Sequence, residues 1–523
     1  MISAQGGPRP QGLRYRVRFM ADDALQLDGQ PLNFAQIEAV ARDGLRVTIG
    51  TQALENIQQA RVVVETHSEG TKAVYGINTG FGSLSRNRIE GEDLRSVQRN
   101  LIRSHAAGVG EMLPDEIVRA MLLILAASLG RGRSGVRREV VQLIVEMLNH
   151  GITPQIPSRG SVGASGDLAP LAHAGLVLIG EGQARVDGQV RSGVEALAKK
   201  GLAPITLEAK EGLALINGTH LMSAIGTLTL CDVGRLSETA IVSAAMAVDA
   251  CRGSDAPFDE KLHVARNQSG QRFIAARLKT LLDGSQIIQD HREDDPRVQD
   301  PYCLRATPQV LGATRDAIDY VRTVFERELG AVTDNPLVFP ETNEIISGGN
   351  FHGMPLAIAL DTLSIALSHI AGIAERRVYW LLKASDSENP VNLNLSPQPG
   401  LHSGLMITQY TAAALCNEIQ TLATPASVAN IPTSAGMEDY NSFGVTSAHQ
   451  ARQAVDLAIN VIAIELLVMA EAMEYQRPLK SGAGVEAAYK TVRSVVPRLT
   501  EDRPPAPDIA AIARLIRAGA FCT

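Results

Sequence analysis

Apolar and polar positions along most of this chain alternate with a helical period. The period marks helices over 52–68, 91–107, 114–129, 135–150 and 167–179. It returns over 192–200, 207–250, 308–330, 355–385, 406–423, 445–475, 482–495 and 507–518. An earlier helix is expected near 33–43. Asp508 is placed to cap the last helix and Gly519 to end it. Strand-like spacing is confined to Tyr15–Phe19, Leu45–Ile49 and a strand-turn piece at 183–191 around Asp187-Gly188. Polar residues, Pro and Gly dominate 284–306 and 385–404. These read as long loops, which in compact folds often carry function.

The longest apolar stretches, 355–383 and 452–475, contain Asp361, His369, Glu375, Asp456 and Glu465. They read as core helices of a large bundle and not as membrane spans. The predicted fold is therefore mainly α, a long central helical bundle with a smaller loop-rich N-terminal region. Region 1–220 carries the candidate loops, 221–476 forms the bundle and 477–523 a C-terminal helical cap. Helices this apolar need partners to cover them.

Composition sharpens the picture. Of 523 residues 45% are hydrophobic but only 4% aromatic, so Ala, Leu and Ile supply the apolar mass and favour helix over sheet. The net charge of -7 predicts no nucleic-acid footprint. Cys231, Cys251, Cys303, Cys416 and Cys522 are odd in number and scattered, with no Cys-x-x-Cys. They predict reduced thiols in a cytoplasmic protein and no zinc. No metal site is expected, because the histidines are dispersed. Met1–Gln11 has no apolar signal core.

The most informative chemistry lies in Gly160-Ser161-Val162-Gly163-Ala164-Ser165-Gly166-Asp167-Leu168-Ala169-Pro170. Ser165 sits between very small residues, just before a helix that Asp167 can cap. Small neighbours let the backbone fold tightly enough for the Gly166 nitrogen to reach the Ala164 carbonyl. Loss of two waters would give a five-membered ring bearing a dehydroalanine methylidene. That product is an electrophile made from the chain itself.

Six further segments carry candidate groups. Tyr75-Gly76-Ile77-Asn78-Thr79-Gly80-Phe81-Gly82 cannot be a stable helix, and its tyrosine on a glycine-rich loop suits a movable acid or base. Ser104-His105 ends a helix. Asn217 interrupts an apolar run and needs a hydrogen-bond partner if buried. In Gln299-Asp300-Pro301-Tyr302-Cys303-Leu304-Arg305, with Gln309 beyond it, Arg305 suits a planar carboxylate and Tyr302 is a second proton donor. Asp334-Asn335-Pro336 precedes Ser347-Gly348-Gly349-Asn350-Phe351-His352-Gly353. Pro432-Thr433-Ser434-Ala435-Gly436-Met437-Glu438-Asp439-Tyr440 is the last.

Ala164 to His173 resembles the signature of the aromatic amino acid ammonia-lyases and aminomutases, and the other segments follow in that family's order. The resemblance spans roughly residues 30 to 515. It implies the fumarase/aspartase-like helical architecture, and a homotetramer with active sites shared between subunits. It also implies the self-made 4-methylidene-imidazol-5-one (MIO) group, formed from Ala164, Ser165 and Gly166. By resemblance Tyr75 is the base for the β-proton, and Tyr302 helps position the MIO and the elimination. Ser104 and His105 face the substrate's ring. Asn217 contacts the MIO carbonyl and the substrate carboxylate. Arg305 anchors that carboxylate, with Gln299 and Gln309 as hydrogen-bonding neighbours and Asn335 supporting the same end. Phe351 packs near the electrophile, and Glu438 binds the amine or an imidazole nitrogen.

Ser104-His105 matches the histidine enzymes of the family but also resembles some tyrosine-specific lyases and aminomutases, and Glu438 matches the histidine enzymes. Met437, Tyr440 and the loop Asn389-Pro390-Val391-Asn392-Leu393-Asn394 depart from them. The implied reaction is non-oxidative deamination of an aromatic L-amino acid, with histidine to urocanate favoured. Tyrosine or phenylalanine ammonia-lyase and an aromatic 2,3-aminomutase are the alternatives. A bundle kept only as a scaffold is a different class of reading. The intact Ala164-Ser165-Gly166, Tyr75, Asn217 and Arg305 speak against it.

Overall fold

The architecture comes from a computed structural model that describes residues 23–70, 73–79, 89, 93–293, 295, 297–386 and 389–522. In chain order the helices begin with α1 (Phe34–Arg42), α2 (Thr51–Glu69), α3 (Asp93–His105), α4 (Asp115–Gly130) and α5 (Arg138–Asn149). Next come α6 (Leu168–Leu178), α7 (Gly193–Ala198), α8 (Glu211–Ile216), α9 (His220–Ala250) and α10 (Glu260–Arg266). Then follow α11 (Ser269–Leu282), α12 (Gln286–His291), α13 (Tyr302–Arg305), α14 (Thr307–Glu328) and α15 (Met354–Leu382). The last are α16 (Met406–Leu422), α17 (Gly444–Gln476), α18 (Ala483–Arg493) and α19 (Ala506–Arg517).

Helices α9, α15 and α17 form the spine, with α9 and α15 both packed on α17 and α14 and α16 against α15. Their apolar residues belong to one continuous buried cluster that runs from Leu25 to Phe521. Among the described residues, the two helices long and apolar enough to cross a membrane, α15 and α17, are mostly buried within the chain. Their charged residues find partners inside it. Glu465 pairs with Arg377 between α17 and α15, Asp361 accepts from the Ser427 amide at 2.9 Å, and Glu375 accepts from Gln409 at 2.8 Å. Burying a charge in this way is tolerable only because each is paired or hydrogen-bonded. A partly buried ion network ties α1, α4, α9 and α17 together. Arg42 and Arg452 both reach Glu116 and Asp232, and Arg235 joins Glu38 to Asp232.

Strands are short and peripheral. β1 (Ala24–Leu27) pairs in parallel with β2 (Arg46–Ile49). β3 (Val109–Met112) pairs antiparallel with β5 (Pro157–Arg159), while β4 (Thr153–Pro154), β6 (Gln183–Val186) and β7 (Gln189–Ser192) form a three-stranded sheet. β8 (Leu337–Phe339) and β9 (Glu344–Ile346) make a hairpin.

Most expected helices appear within a few residues of their expected ends, and the fold is mainly α. Four expectations need correction. The helix predicted over 207–250 breaks at Asn217-Gly218-Thr219 into α8 and α9, because Asn217 is extended and Gly218 takes φ +131°. Residues 251–283, outside every predicted helix, hold α10 and α11. The buried Ile274, Ala275, Leu278, Leu281 and Leu282 show the helical spacing there. The loop predicted at 284–306 contains α12 and α13. Asp508 lies inside the first turn of α19, whose cap is Pro505. Gly519, at φ +74°, follows its last turn as expected. The strand expected at Tyr15–Phe19 and residues 80–88 of the tyrosine loop lie outside the described residues.

Candidate active site

Four helices start around the Gly160–Asp167 segment. Asp167 stands at the N-cap of α6, Thr219 at that of α9, Gly353 at that of α15 and Phe443 at that of α17. Backbone hydrogen bonds fasten these starts to the segment. Phe443 N–H donates to Val162 O at 2.9 Å, and Gly353 N–H donates to Gly163 O at 3.2 Å. The Ser442 hydroxyl donates to the same Gly163 oxygen at 2.9 Å. Each helix start carries partial positive charge from its unpaired N–H groups, so the converged ends favour an anion or developing negative charge.

Asp167 takes up part of that field. It does not cap its own helix as expected. Its carboxylate crosses to α9 and accepts from Leu221 N–H at 2.8 Å and Met222 N–H at 3.0 Å, with the Ser161 hydroxyl at 3.1 Å. It is fully buried. Desolvation pushes its pKa up to about 7 against those donors, with Glu328 nearby adding to the rise.

The turn itself is tight. Gly166 has φ +77° and forms a bridge with Gly218, whose carbonyl accepts Asp167 N–H at 2.7 Å. A Cβ at Gly166 would lie 2.2 Å from that carbonyl oxygen. Ala164 and Gly166 are buried and Ser165 is half-buried. Two side chains hold Ser165 from opposite ends of the residue. Asn217 Nδ2 donates to its carbonyl at 3.0 Å, and its hydroxyl donates to Glu438 at 2.9 Å. The second Glu438 oxygen accepts from Thr433 at 3.2 Å, and a backbone bridge joins Thr433 to Glu438. Asn217 Oδ1 is buried without a protein partner among the described residues.

The other expected groups fall into two places. Tyr75 lies on a turn pinned by Asn78 Oδ1 to Val74 N–H at 2.7 Å and by Thr79 to Gly76 N–H at 3.2 Å. A Cβ at Gly76 would meet Leu213 of α8 and Pro336, so this turn packs between the segments that carry Asn217 and Asn335. The Asn335 amide is engaged within the chain, donating to Ser347 at 3.2 Å and accepting from Gly348 N–H at 2.7 Å. Phe351 is half-buried two residues before Gly353. His105, at the end of α3, folds back with Nδ1 beside Ser104 Oγ at 3.0 Å and Leu101 O at 2.9 Å. The chain just beyond it meets the electrophile segment, since a Cβ at Gly160 would lie 3.1 Å from the Gly108 α-carbon.

Gln299, Tyr302, Arg305 and Gln309 share a separate cleft of about 730 Å³. There Arg305 stacks on the Tyr302 ring at 4.6 Å and donates from Nε to Asp300 O at 2.9 Å, while Tyr302 is 72% exposed. This cleft sits at the far end of α9, where Asp300 accepts from Ser254 N–H at 2.7 Å and Arg297 donates to Cys251 O at 3.1 Å. Thirty-one helical residues separate that end from the turn at Ser165, a span of about 45 Å. Within one chain the two sets do not meet.

Sequence reasoning passed over several groups that shape the site. Lys210 Nζ pairs with Asp334 at 2.6 Å, both fully buried, and so joins the α8 start to the Asn335 segment. Thr433, Ser442 and Ser161 fix the walls. A charged or hydroxyl residue just before an apolar helix was the signal available for Lys210 and Ser442 alone, ahead of α8 and α17. Among the described residues no three His, Cys, Asp or Glu side chains gather as a metal site requires.

The family model for aromatic amino acid lyases matches residues 32–494. The chain belongs to the aromatic amino acid lyase family. It is a carbon–nitrogen lyase of the same fold as its structural neighbours. It is 49% identical over 501 residues to the histidine ammonia-lyase of Sorangium cellulosum (strain So ce56), covering 94% of this chain and 97% of that protein. The histidine ammonia-lyase structure from Trypanosoma cruzi matches with TM-score 0.88 at 38% identity, covering 95% of this lyase and 94% of that chain. Tyrosine aminomutase from Streptomyces globisporus matches with TM-score 0.89 at 34% identity, covering 95% and 98%.

Proposed function

We propose that this lyase deaminates L-histidine to urocanate and ammonia, using an MIO group made from Ala164, Ser165 and Gly166. The observation that carries the reading is the placement of Ser165 between Asn217 and Glu438. The residues present fit the group. The turn at Gly166 leaves room for no side chain, Asn217 holds the carbonyl that would become part of the ring, and four helix starts surround it. Once formed, the group supplies an electrophile that takes up the substrate's α-amine and makes it a leaving group.

The chain's own groups do the rest. The β-proton of an amino acid is weakly acidic, so it needs a base placed at Cβ. Tyr75 fills that role, its phenolate oxygen taking the proton. Arg305 grips the substrate carboxylate and fixes Cβ relative to that base, with Tyr302, Gln299 and Asn335 around it. Asn217 Oδ1 and Glu438 supply acceptors for the polar end and the amine. Ser104 and His105 line the ring end. Since Arg305 and Ser165 lie at opposite ends of α9, the working site combines groups from different subunits of a homotetramer. The enzyme acts in the cytoplasm.

The test is a product assay with L-histidine, L-tyrosine and L-phenylalanine given separately. Urocanate as the main product supports the proposal. Coumarate or cinnamate would keep the reaction and move the substrate. A β-amino acid would make the enzyme an aminomutase.

A further inference from the structure

His220, the first residue of α9, is 3% exposed, and neither ring nitrogen has a protein partner among the described residues. Its ring lies against Gly218, where an added Cβ would sit 2.5 Å from Cε1. Gly218 is the backbone partner of Gly166, so the imidazole stands directly behind the electrophile turn. The surroundings are polar. Thr333 Oγ1 accepts from Thr219 N–H at 3.2 Å, the Thr219 hydroxyl donates to the Glu328 carboxylate, and buried Arg131 Nε also lacks a protein partner. Burial, with Arg131 nearby, pushes the His220 pKa down to about 3, so the ring is neutral. A neutral imidazole carries one donor and one acceptor, and leaving both unpaired in the interior is costly. Water can serve either nitrogen, as acceptor to the one that carries the proton and as donor to the other.

We propose that His220 seats an internal water site behind the Ala164–Gly166 turn, and that this site receives and relays the water released when the turn closes. The proposal rests on the reading that the turn cyclises. On closure the Gly166 nitrogen bonds the Ala164 carbonyl carbon. That oxygen leaves as one water with the hydrogens of the Gly166 and Ser165 nitrogens. The Ser165 hydroxyl leaves as the second with the Ser165 α-hydrogen, so no oxidant is needed. The first water leaves from buried Ala164, and His220 has unused hydrogen-bonding capacity behind that turn, while the second leaves from half-buried Ser165 on the Glu438 side. His220 is a positioning residue, because it touches none of the reacting atoms.

Freshly synthesised chain, sampled over time, is digested and the peptide containing Ser165 weighed. Wild type should lose the mass of two waters. His220→Phe should lose it about tenfold more slowly, with intact and singly dehydrated peptide accumulating. His220→Gln, which keeps a donor and an acceptor, should restore the wild-type course. Wild-type kinetics in a folded His220→Phe overturns the relay. Should that variant not fold, a high-resolution crystal structure of Ser165→Ala decides. An ordered water on a His220 ring nitrogen supports the site, and a dry ring overturns it. A wild-type chain that loses no water sinks the cyclisation reading and the relay with it, while the crystal structure still judges the water site on its own.

Discussion

The Ser165 hydroxyl donates to the carboxylate of Glu438 at 2.9 Å, joining residues 273 positions apart in the chain. A carboxylate held this close to the reacting centre can accept from a substrate amine or imidazole N–H. A hydrogen bond to a charged group is worth about 1.5–3 kcal/mol, so Glu438→Gln should lower kcat/KM for L-histidine by about 10–100-fold. L-phenylalanine, whose ring has no N–H, should lose less than histidine. Equal losses on both substrates would remove Glu438 from ring selection. The peptide containing Ser165 should still lose two waters in this variant.

Gly166 tests the turn. Its φ of +77° and the Gly218 carbonyl 2.2 Å from an added Cβ leave an alanine there both strained and overlapping. Gly166→Ala should abolish the loss of two waters, read by peptide mass, and all deamination with it. Gly151 has φ +65° and nothing within 4 Å of its added Cβ. Gly151→Ala should cost only about 1–2 kcal/mol of stability and leave ring formation intact. An active Gly166→Ala enzyme would refute the turn as the origin of the electrophile.

Helices were legible in the sequence because apolar spacing persists for many turns in α9, α15 and α17. β4 and β8, of two and three residues, are too short to show an alternation and were missed, whereas β2 and the β6–β7 piece stood where the sequence placed them. Asn217 interrupts the apolar run without signalling a helix end, because apolar residues continue on both sides of it. Yet that break aims the Asn217 amide at Ser165. The candidate residues could be named from motif order. Their division between the two ends of α9 could not, because motif order carries no distances. Asp167 shows the same limit. Its position before an apolar helix suggested a cap, whereas folding brings a second helix start, that of α9, closer to its carboxylate.

Asp167 also gives a stability that depends on pH. Burial raises its pKa from the ordinary 3.8 to about 7, against the lowering by Met222 and Leu221 N–H and Ser161. Between those values the folded chain binds a proton that the unfolded chain has lost. The stabilisation is therefore full below about 3.8, falls as pH rises, and is gone above about 7. Asp167→Asn removes this slope, so thermal unfolding of the variant should gain on wild type across that window. The gain is on the order of 1 kcal/mol per pH unit at most. His220 contributes the opposite slope, since its depressed pKa makes stability fall as pH drops below 6.5. The difference between variant and wild type isolates Asp167. A gain in the reverse direction would mean that the α9 start holds the group ionised throughout.

The separation of Ser165 from Arg305 along α9 makes a prediction about assembly. Tyr75 accompanies Ser165 at one end of the helix, while Arg305 lies about 45 Å away at the other. If each working site takes Tyr75 from one subunit and Arg305 from another, two inactive variants can repair each other. Tyr75→Phe and Arg305→Ala should each be inactive when made alone. When they are co-expressed in equal amounts, half of the subunits offering Tyr75 are intact there, and half of those offering Arg305. About a quarter of the sites should then carry both groups, and activity should recover to about that fraction of wild type. Mixing the purified variants without exchange of subunits should recover none. Co-expression that yields mixed oligomers but no activity would place both groups in the same subunit's site, and would require α13 to reach Ser165 by a rearrangement of the bundle.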